Sequence, residues 1–140
     1  MSLDTLPGWA EELLATARVA RLAYLDDGDL PRVLPVTFAI ADGAVWSAID
    51  EKPKRSAEPA RLRYLKRRPE AALLVDVYDD DWTWLAWVQL RGSVEVVPIA
   101  GAPAAMKALA AKYEPYAERT PPGPLLRLSV ERALHWRAAG

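Results

Sequence analysis

Arg32-Val-Leu-Pro-Val-Thr-Phe-Ala-Ile-Ala-Asp-Gly-Ala-Val-Trp-Ser-Ala-Ile49 places two apolar runs on either side of Asp42-Gly43. Asp-Gly between apolar runs is the strongest short hairpin signal, because the favoured two-residue turn needs positive φ at both central positions. The stretch predicts one strand over Arg32 to Ala41, a second over Ala44 to Ile49, and an antiparallel start to the fold. Toward the N-terminus, Arg18 to Leu25 alternates and then meets the turn cluster Asp26-Asp27-Gly28-Asp29. Before it, Leu6 to Ala17 predicts a short helix with Pro7 in its first turn and Trp9, Leu13 and Ala17 on one face.

Toward the C-terminus, Glu58 to Arg67 predicts a second helix, with Pro59 early, Leu62 and Leu65 at helical spacing, and Pro69 ending it. Ala71 to Tyr78 predicts a strand, and Leu85 to Val97 a long one in which Gly92 marks a bulge or bend. Ala104 to Tyr113 is an alanine-rich helix with Met106, Leu109, Ala110 and Tyr113 on one side. Pro121-Pro122-Gly123-Pro124 is a loop, after which Leu125 to Trp136 returns to strand alternation. Five or six strands, mostly joined by hairpins, with two or three short helices imply a single α+β domain over residues 1–140, mainly β and built on a small antiparallel barrel. No βαβ repeat and no Gly-x-Gly-x-x-Gly occurs, which argues against a doubly wound nucleotide fold.

The 140 residues suit one domain with its own core. Half of the residues are hydrophobic, at 51%, yet no apolar run approaches the ~18 residues of a membrane span, and Met1-Ser2-Leu3-Asp4 does not open a secretory signal. The expectation is a cytoplasmic protein with no membrane partner. There are no cysteines and one histidine, so disulfides, thiolate nucleophiles, sulfur-ligated zinc and multi-histidine metal sites are all excluded, and no metal site is assigned. Redox chemistry would have to come from a bound organic cofactor.

Residues 51–68 hold eight cations against two acids, Glu51 and Glu58, in a chain of net charge -1. One basic cluster on an otherwise acidic chain is sized for the phosphate of a small cofactor and not for nucleic acid. Lys52, Lys54 and Arg55 sit in a loop stiffened by Pro53, so their charges can converge on an anion at low ordering cost. Arg61, in the first turns of the following helix, would join them near amides that favour an anion. Arg63, Lys66, Arg67 and Arg68 read more simply as a solvated helix face.

Arg18-Val-Ala-Arg-Leu-Ala, Leu34-Pro-Val-Thr-Phe38, Ala48-Ile-Asp-Glu-Lys-Pro-Lys-Arg55, Leu65-Lys-Arg-Arg-Pro-Glu-Ala-Ala-Leu-Leu-Val-Asp76 and Asp79-Asp-Asp-Trp82 together resemble the pyridoxamine 5'-phosphate oxidase-like split β-barrel family. Within it the chain looks most similar to small actinobacterial proteins that use coenzyme F420, a deazaflavin. The resemblance runs from about Thr16 to Arg137. It implies an FMN-binding-like split barrel, a homodimer with two grooves between subunits, and a flavin or deazaflavin ring lined by Pro35, Val36, Thr37, Ala48 and Ile49. It also implies that the C-terminal segment, with Trp136, closes the groove. Flavin-binding oxidases of the family carry cations on the strand before the phosphate loop, whereas Val45-Trp-Ser-Ala-Ile49 has none. That departure favours F420 over FMN. The implied activity is hydride transfer to a small conjugated substrate, with an FMN-dependent oxidoreductase, or a carrier of flavin, F420 or haem, as the alternatives. No catalytic side chain is singled out.

Tyr78, Trp82, Trp84 and Trp87 put four large aromatics into ten residues. Trp84 and Trp87 have opposite parity in a continuous strand, so at least one should leave the core and serve a dimer groove. Asp76, Asp79, Asp80 and Asp81 match no calcium loop and are expected to cap and turn the chain. His135 has no serine or cysteine partner for a hydrolytic triad.

Overall fold

The computed structural model describes residues 3–49 and 60–139. The elements are α1 (Gly8–Thr16), β1 (Ala20–Leu25), β2 (Pro31–Val36), β3 (Ala39–Ala41), β4 (Ala44–Ala48), α2 (Ala60–Arg67), β5 (Glu70–Val77), β6 (Ala86–Val97), α3 (Pro103–Lys112), α4 (Glu114–Glu118) and β7 (Leu125–Arg137). Single 3-10 turns cover Leu3–Thr5, Trp82–Trp84 and Ile99–Gly101. Among the described residues there are thus seven strands and four α-helices, against the five or six strands and two or three helices that the sequence implied. None of these helices is long and apolar enough to cross a membrane.

All strand pairings are antiparallel, in the order β2-β1-β5-β6-β7-β4-β3. β2 and β3 lie at opposite ends of this order, yet only Thr37 and Phe38 separate them. Two residues span at most about 11 Å between the Cα atoms of Val36 and Ala39. The ends of the sheet must therefore meet, and the sheet is rolled into a barrel. The expected strand over Arg32 to Ala41 is divided here: its first half pairs with β1 and its second with β4. The hairpin itself holds, with Ala41 opposite Ala44 and positive φ at both Asp42 (52°) and Gly43 (70°).

The seam is closed by a side chain from α3's C-terminus. The Tyr113 hydroxyl accepts from Phe38 N at 3.1 Å and lies 3.2 Å from Phe38 O and 3.1 Å from Arg18 O, the carbonyls to which its one proton can be donated. Ser47 Oγ of β4 donates to Thr37 O at 2.7 Å, tying the crossover to the other edge. Phe38 is fully buried among Leu14, Leu22, Val36, Ile49, Val88 and Leu90 in the barrel core.

β4 is buried on both faces. Val45 faces the barrel, while Ala44, Trp46 and Ala48 meet Leu109, Tyr113 and Tyr116 in a second core under α3 and α4. That double burial explains why its sequence is apolar without alternation. In α1 the inward face is centred on Ala10 and Leu14, with Trp9 and Leu13 flanking, a rotation of one residue from the expected face. Gly92 does mark an irregularity: Arg91 pairs with Arg132 and Gly92 with Val130, so the extra residue is Glu131 on β7.

Candidate functional site

The register aligns one outward face across five strands. Pro35, Arg21, Leu74, Gln89 and Leu134 form one row of neighbours, flanked by Val33, Ala23, Ala72, Arg91 and Arg132 on one side and by Asp76, Trp87 and Trp136 on the other. Val33 is 67% exposed and Trp136 46%, large apolar side chains that burial within one chain does not account for. Arg21 and Asp76 form an exposed ion pair across this face at 3.7 Å.

Of the expected ring-lining residues, Pro35 is exposed on this face, whereas Val36 turns into the barrel core. Thr37 is half-buried at the seam, its hydroxyl 2.8 Å from the Tyr116 hydroxyl. Ala48 lies in the second core and Ile49 in the first, so each can offer a ligand only backbone. The seam brings Thr37 against Ser47, next to Ala48. Trp136 is not brought to them: Ser47 pairs with Leu126, ten residues before Trp136 on β7, roughly 30 Å at ~3.3 Å per residue. Lys52, Lys54 and Arg55 lie outside the described residues. Arg61 stands in the first turn of α2, its Nε buried.

The other α2 cations belong largely to the acidic turn after β1. Arg63 meets Asp27 at 3.2 Å, Arg67 meets Asp29 at 3.1 Å and the Asp26 carbonyl at 3.0 Å, and Arg68 bridges Asp29 and Glu70 at 2.9 and 3.2 Å. Asp26 in turn accepts from Leu30 N and Gly28 N, and these bonds, the Leu30 amide first, hold its carboxyl below the usual range. This half of the basic segment therefore fastens a helix to a turn.

The aromatic segment divides differently from the expectation. Trp84 belongs to the 3-10 turn at Trp82–Trp84 and is exposed, so the strand-parity argument does not reach it. Trp87 does point outward, opposite Trp136. Asp79 accepts from Asp81 N at 2.7 Å, and Asp81 accepts from Thr83 N and Oγ1 at 3.1 and 2.8 Å, the turn-and-cap role expected of them. Those bonds from Thr83 also lower the Asp81 pKa. His135 is edge-on to Trp9 of α1, ring centroids 5.8 Å apart, on the face of β7 opposite Trp136.

The sequence reading passed over Lys112. Its ammonium stands 3.7 Å above the Phe38 ring and donates to Leu14 O at 3.2 Å. Burial, and then repulsion from Arg18, lower its pKa from 10.5 to about 8. The only signal was a lone lysine ending an alanine-rich helix beside Tyr113. Because the folded-state value is the lower one, the charged form is penalised in the fold, and the penalty is relieved as pH rises from about 8 to 10.5. Discounted for solvent screening, the parent should gain about 1 kcal/mol relative to Lys112→Met over that window. Urea denaturation of both proteins at pH 7 and pH 10 reads this directly; a pH-independent difference would mean the ammonium is not desolvated.

The chain matches the family model described as pyridoxamine 5'-phosphate oxidase over residues 9–133. No curated protein matches it by sequence. Among solved structures it is similar to the conserved hypothetical protein Rv2991 from Mycobacterium tuberculosis, with a TM-score of 0.75 and 18% identity over 94% of this chain and 86% of that one. A FAD-binding protein from Mesorhizobium loti gives 0.69 and 20% over 96% of each chain. The FAD and haem binding protein from Mycobacterium smegmatis gives 0.72 and 20% over 97% of this chain and 73% of that one. At these identities the likeness establishes a shared fold.

Proposed function

The chain belongs to the pyridoxamine 5'-phosphate oxidase family, and from that membership we propose a homodimer that binds coenzyme F420 in the grooves between its subunits and reduces a small, flat, conjugated substrate. The observation that carries this reading is the outward face of β2, β1, β5, β6 and β7, which exposes Val33, Pro35 and Trp136 among the charged Arg21, Asp76, Arg91 and Arg132, with Pro35 and Trp136 at opposite sides. In one chain those two residues lie on strands at opposite ends of that face. A second copy packed on the same face would supply the missing wall and cover Val33 and Trp136. That two neighbours of this fold are FAD-binding proteins supports a flavin-type ring at such a site.

The residues present fit that group in part. Pro35 offers a rigid apolar surface, Trp136 a flat one, and the backbones of Thr37, Ala48 and Ile49 border the seam. Arg63, Arg67 and Arg68 are engaged by Asp27, Asp29 and Glu70, and we assign anchoring of a phosphate to the basic segment of Lys52, Lys54 and Arg55 with Arg61. When bound, a deazaflavin supplies two-electron hydride chemistry. The chain's own part is to hold the ring, fix the phosphate and keep water from the substrate face. Tyr78, the one tyrosine near the exposed aromatics, already donates to Asp80 at 3.1 Å, so no side chain is assigned as proton donor. The carrier reading with haem loses ground because His135 lies on the α1 side of β7, away from Trp136.

Side-by-side fluorescence titrations with F420 and FMN test the proposal. F420 should bind more tightly, and Lys52→Ala, Lys54→Ala and Arg55→Ala should each weaken it about tenfold or more, the ~1.5–3 kcal/mol of a charge-assisted hydrogen bond. Reduced F420 should be oxidised when a quinone or enone is added, and sedimentation should give twice the 15.5 kDa chain mass. Tighter FMN binding would shift the cofactor, binding without turnover would leave a carrier, and a monomer at high concentration would remove the shared groove.

A further inference from the structure

A groove of about 1050 Å³ runs between α1, the β3–β4 turn and α3. Its walls are aliphatic, from Leu6, Leu14, Ala39, Ile40, Ala108 and Ala111. Four charged groups also line it: Arg18 and Lys112, and the acids Asp4 and Glu11. Arg18 and Lys112 both lie against the Tyr113 ring, 4.7 and 5.6 Å from its centre. Neither forms an ion pair among the described residues, and Arg18 repels Lys112 strongly enough to help depress its pKa.

We propose that this groove binds an aliphatic monocarboxylate, its chain along the Leu6, Leu14 and Ile40 wall and its carboxylate between Arg18 and Lys112. The volume matches the ~300–1,000 Å³ of small-molecule sites, which are mostly apolar with few fixed polar groups. An anion placed between two unpaired cations relieves their repulsion, and a guanidinium beside an ammonium suits the two oxygens of one carboxylate. A phosphate is less suited, because Asp4 and Glu11 also line the groove and a dianion would meet about twice the repulsion from them that a monocarboxylate meets. The wall residues named are aliphatic, with the rings of Phe38 and Tyr113 beneath the cations, which favours an alkyl body over a flat aromatic one. The site uses no residue of the proposed cofactor groove.

Isothermal titration with decanoate tests this, with 1-decanol as the uncharged control. Decanoate should saturate at one per chain and bind at least tenfold more tightly than decanol. Lys112→Met and Arg18→Met should each weaken decanoate tenfold or more while leaving decanol unchanged. Ala111→Trp, an exposed position on the wall, should abolish binding of both with an unaltered circular dichroism melt and unaltered F420 titration. Equal affinity for decanoate and decanol, or unchanged decanoate binding in both cation variants, would overturn the proposal. So would a change of sedimentation coefficient in Ala111→Trp, which would make the groove an interface with a second copy. If either methionine variant fails to fold, the Ala111→Trp and decanol arms still decide the matter.

Discussion

Gly92→Ala should destabilise the fold by more than about 4 kcal/mol and leave little native protein at 37 °C, a size reserved for backbone collisions and similar failures. A Cβ at this position would run into the Ser129 carbonyl oxygen, with Ser129 C at 2.9 Å and Glu131 N at 3.2 Å. These are backbone atoms, not the ends of flexible side chains. β7 cannot retreat, because it is held by β6 on one side and by β4 on the other. The close approach arises from the bulge at Glu131, which shifts the inward-facing positions of β7 from Leu126 and Leu128 to Ala133 and so turns Trp136 to the outward face. Gly8→Ala is the control: a Cβ there meets nothing within 4 Å, and at the start of α1 it should be neutral or stabilising by under about 1 kcal/mol. Thermal melts of the two variants decide the point, and a Gly92→Ala melt within a few degrees of the parent would mean that β7 can shift after all.

The parts of this fold that were legible in the sequence are those set by local chemistry. Asp42-Gly43 demanded a turn with positive φ and made one. Leu62 and Leu65 faced inward, as their spacing required. Pro69 followed the end of α2 at Arg67. What stayed hidden depends on groups distant in the chain. The run from Arg32 to Ala41 reads as one strand because its apolar pattern continues through Thr37 and Phe38. It breaks there because Phe38 enters the barrel and its backbone finds a partner in the hydroxyl of Tyr113, 75 residues away. Arg63 and Arg67 looked like a solvated face or an anion site according to what stood opposite, and the carboxylates of Asp27 and Asp29 are 36 and 38 residues off. The candidate site shows the same division. Pro35 and Trp136 could be named from family motifs, but that they lie at opposite ends of a five-strand face appears only in the register. Lys112 offered almost no local signal, since its significance comes from Phe38 beneath it and Arg18 beside it.

Phe38→Ala should cost about 3–5 kcal/mol, the range for deleting a buried aromatic ring. Phe38 is 0% exposed and sits on the two-residue crossover that closes the barrel, so little of the resulting cavity can collapse without parting β2 from β3. The loss includes a second contribution, because the ring also faces the Lys112 ammonium. Tyr113→Phe attacks the same seam from the other side. It keeps the ring but leaves the buried Phe38 N–H without its acceptor, for about 1–3 kcal/mol. The two changes share Phe38 and Lys112 and should not add, so the double variant should lose less than the sum, by about 0.5 kcal/mol or more. Urea denaturation with an unchanged slope reads all three values. Strict additivity would show that the aromatic ring and the Tyr113 hydroxyl act separately, and the crossover would then be held by its apolar burial alone. A coupled loss would mean that hydroxyl, ring and ammonium act as one closure. In that case the seam that positions Thr37 against Ser47, and with them the border of the proposed cofactor groove, depends on a tyrosine outside that groove.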